Sequence, residues 1–95
     1  MSGNVVLNNA EHRYELAIDG SDELALAFFR DDENGNRVLT HTEVPFAFSG
    51  HGIGSRLARG VFEDARARGI KLVLQCHFMG AWFARHPEYG DVVAG

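Results

Sequence analysis

The segment Gly50-His51-Gly52-Ile53-Gly54-Ser55 places a glycine at every second position, immediately ahead of a stretch that carries Arg56, Arg59, Arg66 and Arg68. Without side chains in the way, successive backbone N–H groups can converge on one point, and a helix starting there adds positive potential. A phosphate or diphosphate is the natural guest of such a turn. Taken alone, a G-x-G-x-G run also describes a flexible loop leading into a helix. It is not a Walker loop, since no Gly-Lys-Ser or Gly-Lys-Thr follows. Nor does it open a dinucleotide-binding βαβ unit, because a series of strand-like runs precedes it. Cys76 is the sole cysteine, which excludes an internal disulfide, a zinc spacing and a dithiol pair. The five histidines show no H-x-x-x-H spacing, so no metal site is expected.

The elements that must hold this turn follow from periodicity. Val5–Leu7, Tyr14–Ile18 and Leu24–Phe29 are short apolar or alternating runs, which predicts three strands of an antiparallel meander. Asp19-Gly20 and Asn34-Gly35 tolerate positive φ and suit the reversals between strands. Arg37–Val44 alternates Val38, Thr40, Thr42 and Val44 against Leu39, His41 and Glu43, a fourth strand that ends at Pro45. Ile53, Leu57, Val61 and Ala65 fall at helical spacing, and Gly69 follows where a left-handed residue is preferred after a helix. Ile70–Leu74 then reads as a buried strand, so strand, helix and strand form a right-handed crossover with strands four and five parallel. Phe78, Trp82 and Phe83 recur at helical spacing until Pro87 stops a second, short helix. The expected fold class is α/β (α+β): a mixed, mostly antiparallel five-stranded sheet with a β-α-β crossover and a C-terminal helix.

A chain of 95 residues suits one domain spanning 1–95, with burial of roughly 64% of its unfolded surface. Hydrophobic residues at 45% and charged residues at 23% exclude wholesale disorder and fibrous repeats. The longest apolar runs fall far short of the ~20 residues a membrane helix needs, and the N-terminus lacks the layout of a secretory signal, so the cytoplasm is the expected compartment. The net charge of −4 is unevenly placed: residues 1–36 hold two arginines against eight carboxylates, and residues 37–95 hold seven basic groups against five acids. That balance argues against nucleic-acid binding, which needs a basic face, and leaves room for a small anionic ligand near the second half. The acidic first half could attract a cationic acceptor or simply be a solvated face.

The run His41-Thr42-Glu43-Val44-Pro45, followed by Gly50-His51-Gly52-Ile53-Gly54-Ser55-Arg56-Leu57, resembles the phosphate-binding motif of the GNAT superfamily, the acyl-CoA-dependent N-acyltransferases. Gln75-Cys76-His77-Phe78 and Arg85-His86-Pro87-Glu88-Tyr89 are similar to the tail of its smallest subfamily, stand-alone proteins of about this length. The resemblance covers nearly the whole chain and implies a minimal GNAT-like fold with acetyl-coenzyme A as cofactor. It implies a pantetheine arm beside the backbone of Glu43 and Val44, where strands four and five splay, and a diphosphate on the amides of Gly50, His51, Gly52, Ile53, Gly54 and Ser55. Ser49 stands where the superfamily has Gln or Arg, and His51 where Lys or Arg is frequent. Trp82, Phe78 and Phe83 read as core, with the helix edge at Trp82 able to cover the adenosine or pantetheine.

The chemistry implied is direct attack by a neutral amine on the thioester carbonyl. Glu43, at the end of strand four, is the expected base, directly or through water, and His41 on the same strand face is its reserve. The other reading of these two is a solvated strand-end carboxylate and an ordinary packed histidine. Where the superfamily commonly supplies a tyrosine as acid, this chain has Trp82 or Phe83. The acid role therefore passes to solvent, to Tyr89 or Cys76, or to nothing. Cys76 could also form an acyl-cysteine, although a free cysteine is most often a small buried hydrophobe. His86 and Tyr89 are expected to fix the C-terminal turn. The implied function is acetyl transfer from acetyl-CoA to an amine on a protein or small molecule; the alternative is a non-catalytic acyl-CoA sensor or interaction module. A chain this short has room only for a shallow acceptor pocket, which suits a protruding amine or completion by a second subunit in a homodimer.

Overall fold

The computed structural model describes residues 4–48, 50 and 52–94. The apolar runs form five strands, β1 (Val5–Asn8), β2 (Arg13–Ala17), β3 (Leu24–Asp31), β4 (Arg37–Glu43) and β5 (Leu72–Leu74), laid side by side in chain order. The first three pairings are antiparallel, and β4 with β5 is parallel, as a crossover through the intervening helix requires. Two reversals use the marked glycines, with Gly20 at φ 78° and Gly35 at φ 82°. Asp32 Oδ1 accepts the N–H groups of Asn34 and Asn36 at 2.9 Å each, which closes the turn before β4. The first reversal has no glycine. Asn8 Oδ1 takes the N–H of Glu11 at 3.2 Å, and His12 adopts φ 54° in its place.

Strict alternation along β4, expected from the sequence, is corrected by a bulge. Phe28 pairs with His41 while Phe29 pairs with Leu39, which leaves Thr40 as an extra residue in β4. Residues directly opposite in a ladder share a face. Leu39, opposite Phe29, and Thr42, opposite Ala27, therefore both point to the helix-covered side. His41, opposite Phe28, and Glu43, opposite Leu26, point to the other. An alternating pattern cannot reveal an inserted residue when both faces of a strand end are polar, as they are over Thr40–Glu43.

Helix α1 (Ile53–Arg68) and helix α2 (His77–Arg85) cover the same face of the sheet, and a 3-10 segment (Pro87–Val92) closes the end. Tyr14, Leu16, Ala25, Ala27, Phe29 and Leu39 meet Leu57, Val61, Phe62, Met79 and Trp82 in one buried cluster. Gly60 lets α1 lie against β1, since a Cβ there would run into the Val5 side chain. Gly69 ends α1 in the left-handed conformation at φ 69°, and its N–H reaches back to the last turn. No helix is long and apolar enough to cross a membrane among the described residues.

Candidate active site

The β4–β5 pairing runs only from Arg37↔Leu72 to Leu39↔Leu74, and the N–H of Cys76 closes on Leu39 O at 2.8 Å. β4 continues past that point to Glu43, so the two parallel strands part and leave a wedge between them. A cleft of ≈ 280 Å³ opens along the freed end of β4, lined by Thr42, Val44 and Phe48, by Gly50, Gly52, Ile53 and Gly54 of the glycine turn and first helical turn, and by Phe78 beyond β5. That volume lies just below the ~300–1,000 Å³ of pockets that enclose a whole drug-sized ligand, so it suits a slim chain whose bulkier end lies outside.

At the mouth of the cleft the glycine turn feeds α1. Gly50 and Gly52 hold φ values of 83° and 76°, a conformation that favours glycine. The first intrahelical bond is Arg56 N–H to Gly52 O, and Gly52 provides no side-chain cap. The N–H groups of the first turn are left for a guest, no acidic residue stands in that turn, and a diphosphate answers both conditions. Ser49 and His51, expected to contribute here, lie outside the described residues. The arginines contribute less than their number suggests. Arg59 donates to Tyr89 OH at 3.2 Å, Arg66 to Asp91 at 2.6 Å and Arg68 to Asp64 at 2.8 Å, so three of the four are committed to the far side and rear of α1.

The aromatic residue that α2 brings to the cleft is Phe78, not Trp82. Trp82 is fully buried, stacks on His86 at 3.9 Å and donates its indole N–H to Ser55 Oγ at 2.9 Å. The expectation that Trp82 covers the coenzyme is therefore corrected: it anchors the first turn of α1 from beneath. Phe78 begins the same helical stripe one turn earlier, where α2 emerges into solvent, and remains 38% exposed. Spacing put both residues on one stripe but could not say where along the helix the core ends.

Glu43 and His41 stand on the helix-free face, with His41 Nε2 and Glu43 Oε2 3.2 Å apart. The imidazole stacks on Phe28, ring centroids 6.0 Å apart, which fixes it over the sheet. Both side chains line a second, wider cavity of ≈ 690 Å³ that also includes Asp22, Glu23, Leu24, Leu26 and Pro45. Thr42 and Val44 line both cavities, so the end of β4 is a shared wall. The sequence did not mark Thr42, Phe48 or Phe78 as site residues.

Cys76 is buried behind that wall and lines neither cavity; its Sγ lies 3.2 Å from Thr42 Oγ1. Tyr89 is buried on the far side of α1. Its hydroxyl donates to Glu63, and that bond, together with burial, pushes its pKa up. It is thus removed from the role of proton donor at the cleft, and it ties the C-terminal turn to α1 as expected. His86 assists by bonding Trp82 O through Nδ1 at 2.9 Å.

A sheet that splays at the entrance of its parallel crossover, with an uncapped glycine-led helix facing the gap, has the architecture of the acyl-CoA N-acyltransferases. The chain belongs to the GCN5-related N-acetyl-transferase family, whose sequence profile matches residues 13–92. The solution structure of a GCN5-like protein from Staphylococcus aureus superposes with a TM-score of 0.73 at 27% identity, over 100% of this chain and 92% of the other. No curated protein matches the sequence.

Proposed function

We propose that the protein binds acetyl-coenzyme A in the cleft between β4 and β5 and transfers the acetyl group to an amine held on the helix-free side of β4. The observation that carries this reading is the shared wall: Thr42 and Val44 line the cleft and also the cavity that holds Glu43. The residues suit the coenzyme. Backbone N–H groups of Ile53, Gly54 and Ser55 meet the diphosphate, and the unpaired edge of β4 beyond Leu39 runs beside the pantetheine. When bound, acetyl-CoA supplies an acyl carbon activated as a thioester.

Glu43 takes a proton from the incoming ammonium, directly or through water, and His41 holds the carboxylate by its 3.2 Å contact. The freed amine nitrogen attacks the carbonyl carbon and forms the C–N bond. As the C–S bond breaks, the nitrogen gives up its second proton to solvent to leave the amide, and the departing sulfur takes a proton from solvent. No acyl-enzyme is required, and Cys76 stays behind Thr42.

A second reading has one observation in its favour. Among the described residues, no tyrosine, lysine or other proton donor of the required strength lines the cleft, which fits a module that binds acyl-CoA as a sensor or adaptor without rapid chemistry. Thermal melting and thiol release separate the two. Acetyl-CoA at a hundred times its dissociation constant adds ~2.7 kcal/mol, a rise of roughly 10 to 20 °C for a domain of this size, whereas ATP gives none. Thiol release with an amine, reduced about 10²- to 10⁴-fold in kcat by Glu43→Gln, supports the transferase. A melting shift without thiol release across an amine panel supports the sensor. The absence of any shift with CoA compounds overturns both.

A further inference from the structure

The wide cavity on the helix-free face is built along the first residues of β3 and the last of β4, with aliphatic walls and a carboxylate at each end. Leu24, Leu26 and Pro45 give it an apolar middle, Glu43 lies at the end shared with the coenzyme cleft, and Asp22 and Glu23 lie at the other. The ladder sets the separation. Leu26 is the partner of Glu43, and Glu23 lies three residues before Leu26 in the chain. At about 3.3 Å per extended residue the two ends are roughly 10 Å apart.

Charge pairing sharpens the picture. The carboxylates of Glu15, Asp31, Asp64 and Asp91 each hold an arginine. Several other carboxylates, Asp22 and Glu23 among them, have no basic partner among the described residues, and these two line a cavity large enough for a ligand. Among the described residues, the single basic side chain lining this cavity is His41, and it is engaged with Glu43.

We propose that this cavity is the acceptor site and that it selects aliphatic amines bearing a second positive charge, the reacting nitrogen at Glu43 and the distal ammonium at Asp22 and Glu23. The inference rests on the acetyl transfer proposed above. The methylene chain between the two nitrogens lies on Leu24, Leu26 and Pro45, where water is displaced without stranding a polar group. A monoamine of the same length keeps the apolar contact and loses the distal pairing. An aromatic or branched amine loses both.

The test compares kcat/KM for α,ω-diamines of increasing length with monoamines of matched length, in the wild-type protein and in the double variant Asp22→Asn/Glu23→Gln. These two side chains are exposed, so melting of the variant should match the wild type. In the wild type, a diamine long enough to span the cavity is favoured about fivefold or more through KM, and the preference shrinks as salt is raised. In the double variant the preference falls toward one while the acetyl-CoA melting shift stays. Equal use of diamine and monoamine by the wild type, or a preference that survives in the variant, overturns the proposal. Should acetyl-CoA bind and no amine release thiol, amide shifts titrated with the diamine alone decide the matter. Shifts at Leu24, Leu26 and Glu43 that vanish in the variant support the site, and their absence in the wild type overturns it.

Discussion

The two ends of α1 are built on opposite principles. Around its last turns nearly every polar group is fastened: Tyr14 OH donates to Asp64 at 2.7 Å, Arg68 bridges the same carboxylate at 2.8 Å, Arg66 holds Asp91 at 2.6 Å, and Gly69 returns its N–H to the helix. At the first turn there is no capping side chain, no acid and, among the described residues, one side-chain tie, from Trp82 to Ser55 at 2.9 Å. An end that satisfies its own backbone is stable and has nothing left to offer. An end that leaves its N–H groups unmet is costly alone and is completed by an anion. Stability and binding are thereby assigned to separate halves of one helix, which substitutions should be able to dissociate.

The largest effect is expected at the tie that serves both ends. Trp82→Ala opens a cavity beneath α1 next to Phe62 and removes the donor to Ser55, a loss of about 3–5 kcal/mol readable by denaturant titration. Trp82→Phe deletes the N–H together with part of the buried ring, so it should cost less than the alanine change, about 1–3 kcal/mol, while weakening acetyl-CoA binding. Loss of stability without loss of coenzyme affinity in Trp82→Phe would dissolve the link between this tryptophan and the turn.

Next in size is Tyr14→Phe, at the fastened end. The phenol is buried, donates to Asp64 and accepts from Arg37 at 2.9 Å, and the change should cost about 1–3 kcal/mol while leaving coenzyme affinity unchanged. Burial, and then the bond to Asp64, push the Tyr14 pKa up to about 12. A neutral group with a raised folded pKa stabilises fully below its unfolded value of about 10, and its contribution is lost as pH climbs through the folded value. Stability should therefore fall between about pH 10 and 12, and this fall should be shallower in Tyr14→Phe. Tyr89, raised by its bond to Glu63, supplies the remaining slope. Equal slopes in the two proteins would remove Tyr14 from the account.

Much of this was legible in the chain because it is local. Alternation, turn dipeptides and the glycine after α1 depend on neighbours in sequence, so all five strands, both helices and the parallel crossover follow from them. The likeness of residues 41–57 to a phosphate-binding motif pointed to the turn for the same reason. What escaped is what depends on contacts between distant residues. The Thr40 bulge depends on β3, and the burial of Trp82 against the exposure of Phe78 depends on where α2 leaves α1. Asp22 and Glu23 read as part of a diffuse acidic half until the β3–β4 ladder set them along one cavity with Glu43.

The smallest change with a definite sign is Gly54→Ala, and it separates the two ends most cleanly. Gly54 has ordinary helical geometry, so alanine is favoured there by helix propensity of up to about 1 kcal/mol. Against that, a Cβ at this position would lie 2.7 Å from Phe78 Cζ. Phe78 is partly exposed and can swing aside at little cost, so overall stability should change by less than about 1 kcal/mol. The ring, however, forms part of the cleft wall, and moving it or filling the space beside it narrows the wedge beside Val44 and Phe48. Acetyl-CoA affinity should therefore drop while the melting temperature of the free protein hardly moves, and Gly54→Ala/Phe78→Ala should recover part of the affinity by restoring the space. A Gly54→Ala protein that binds the coenzyme as well as the wild type would mean that the wedge is not where the pantetheine runs.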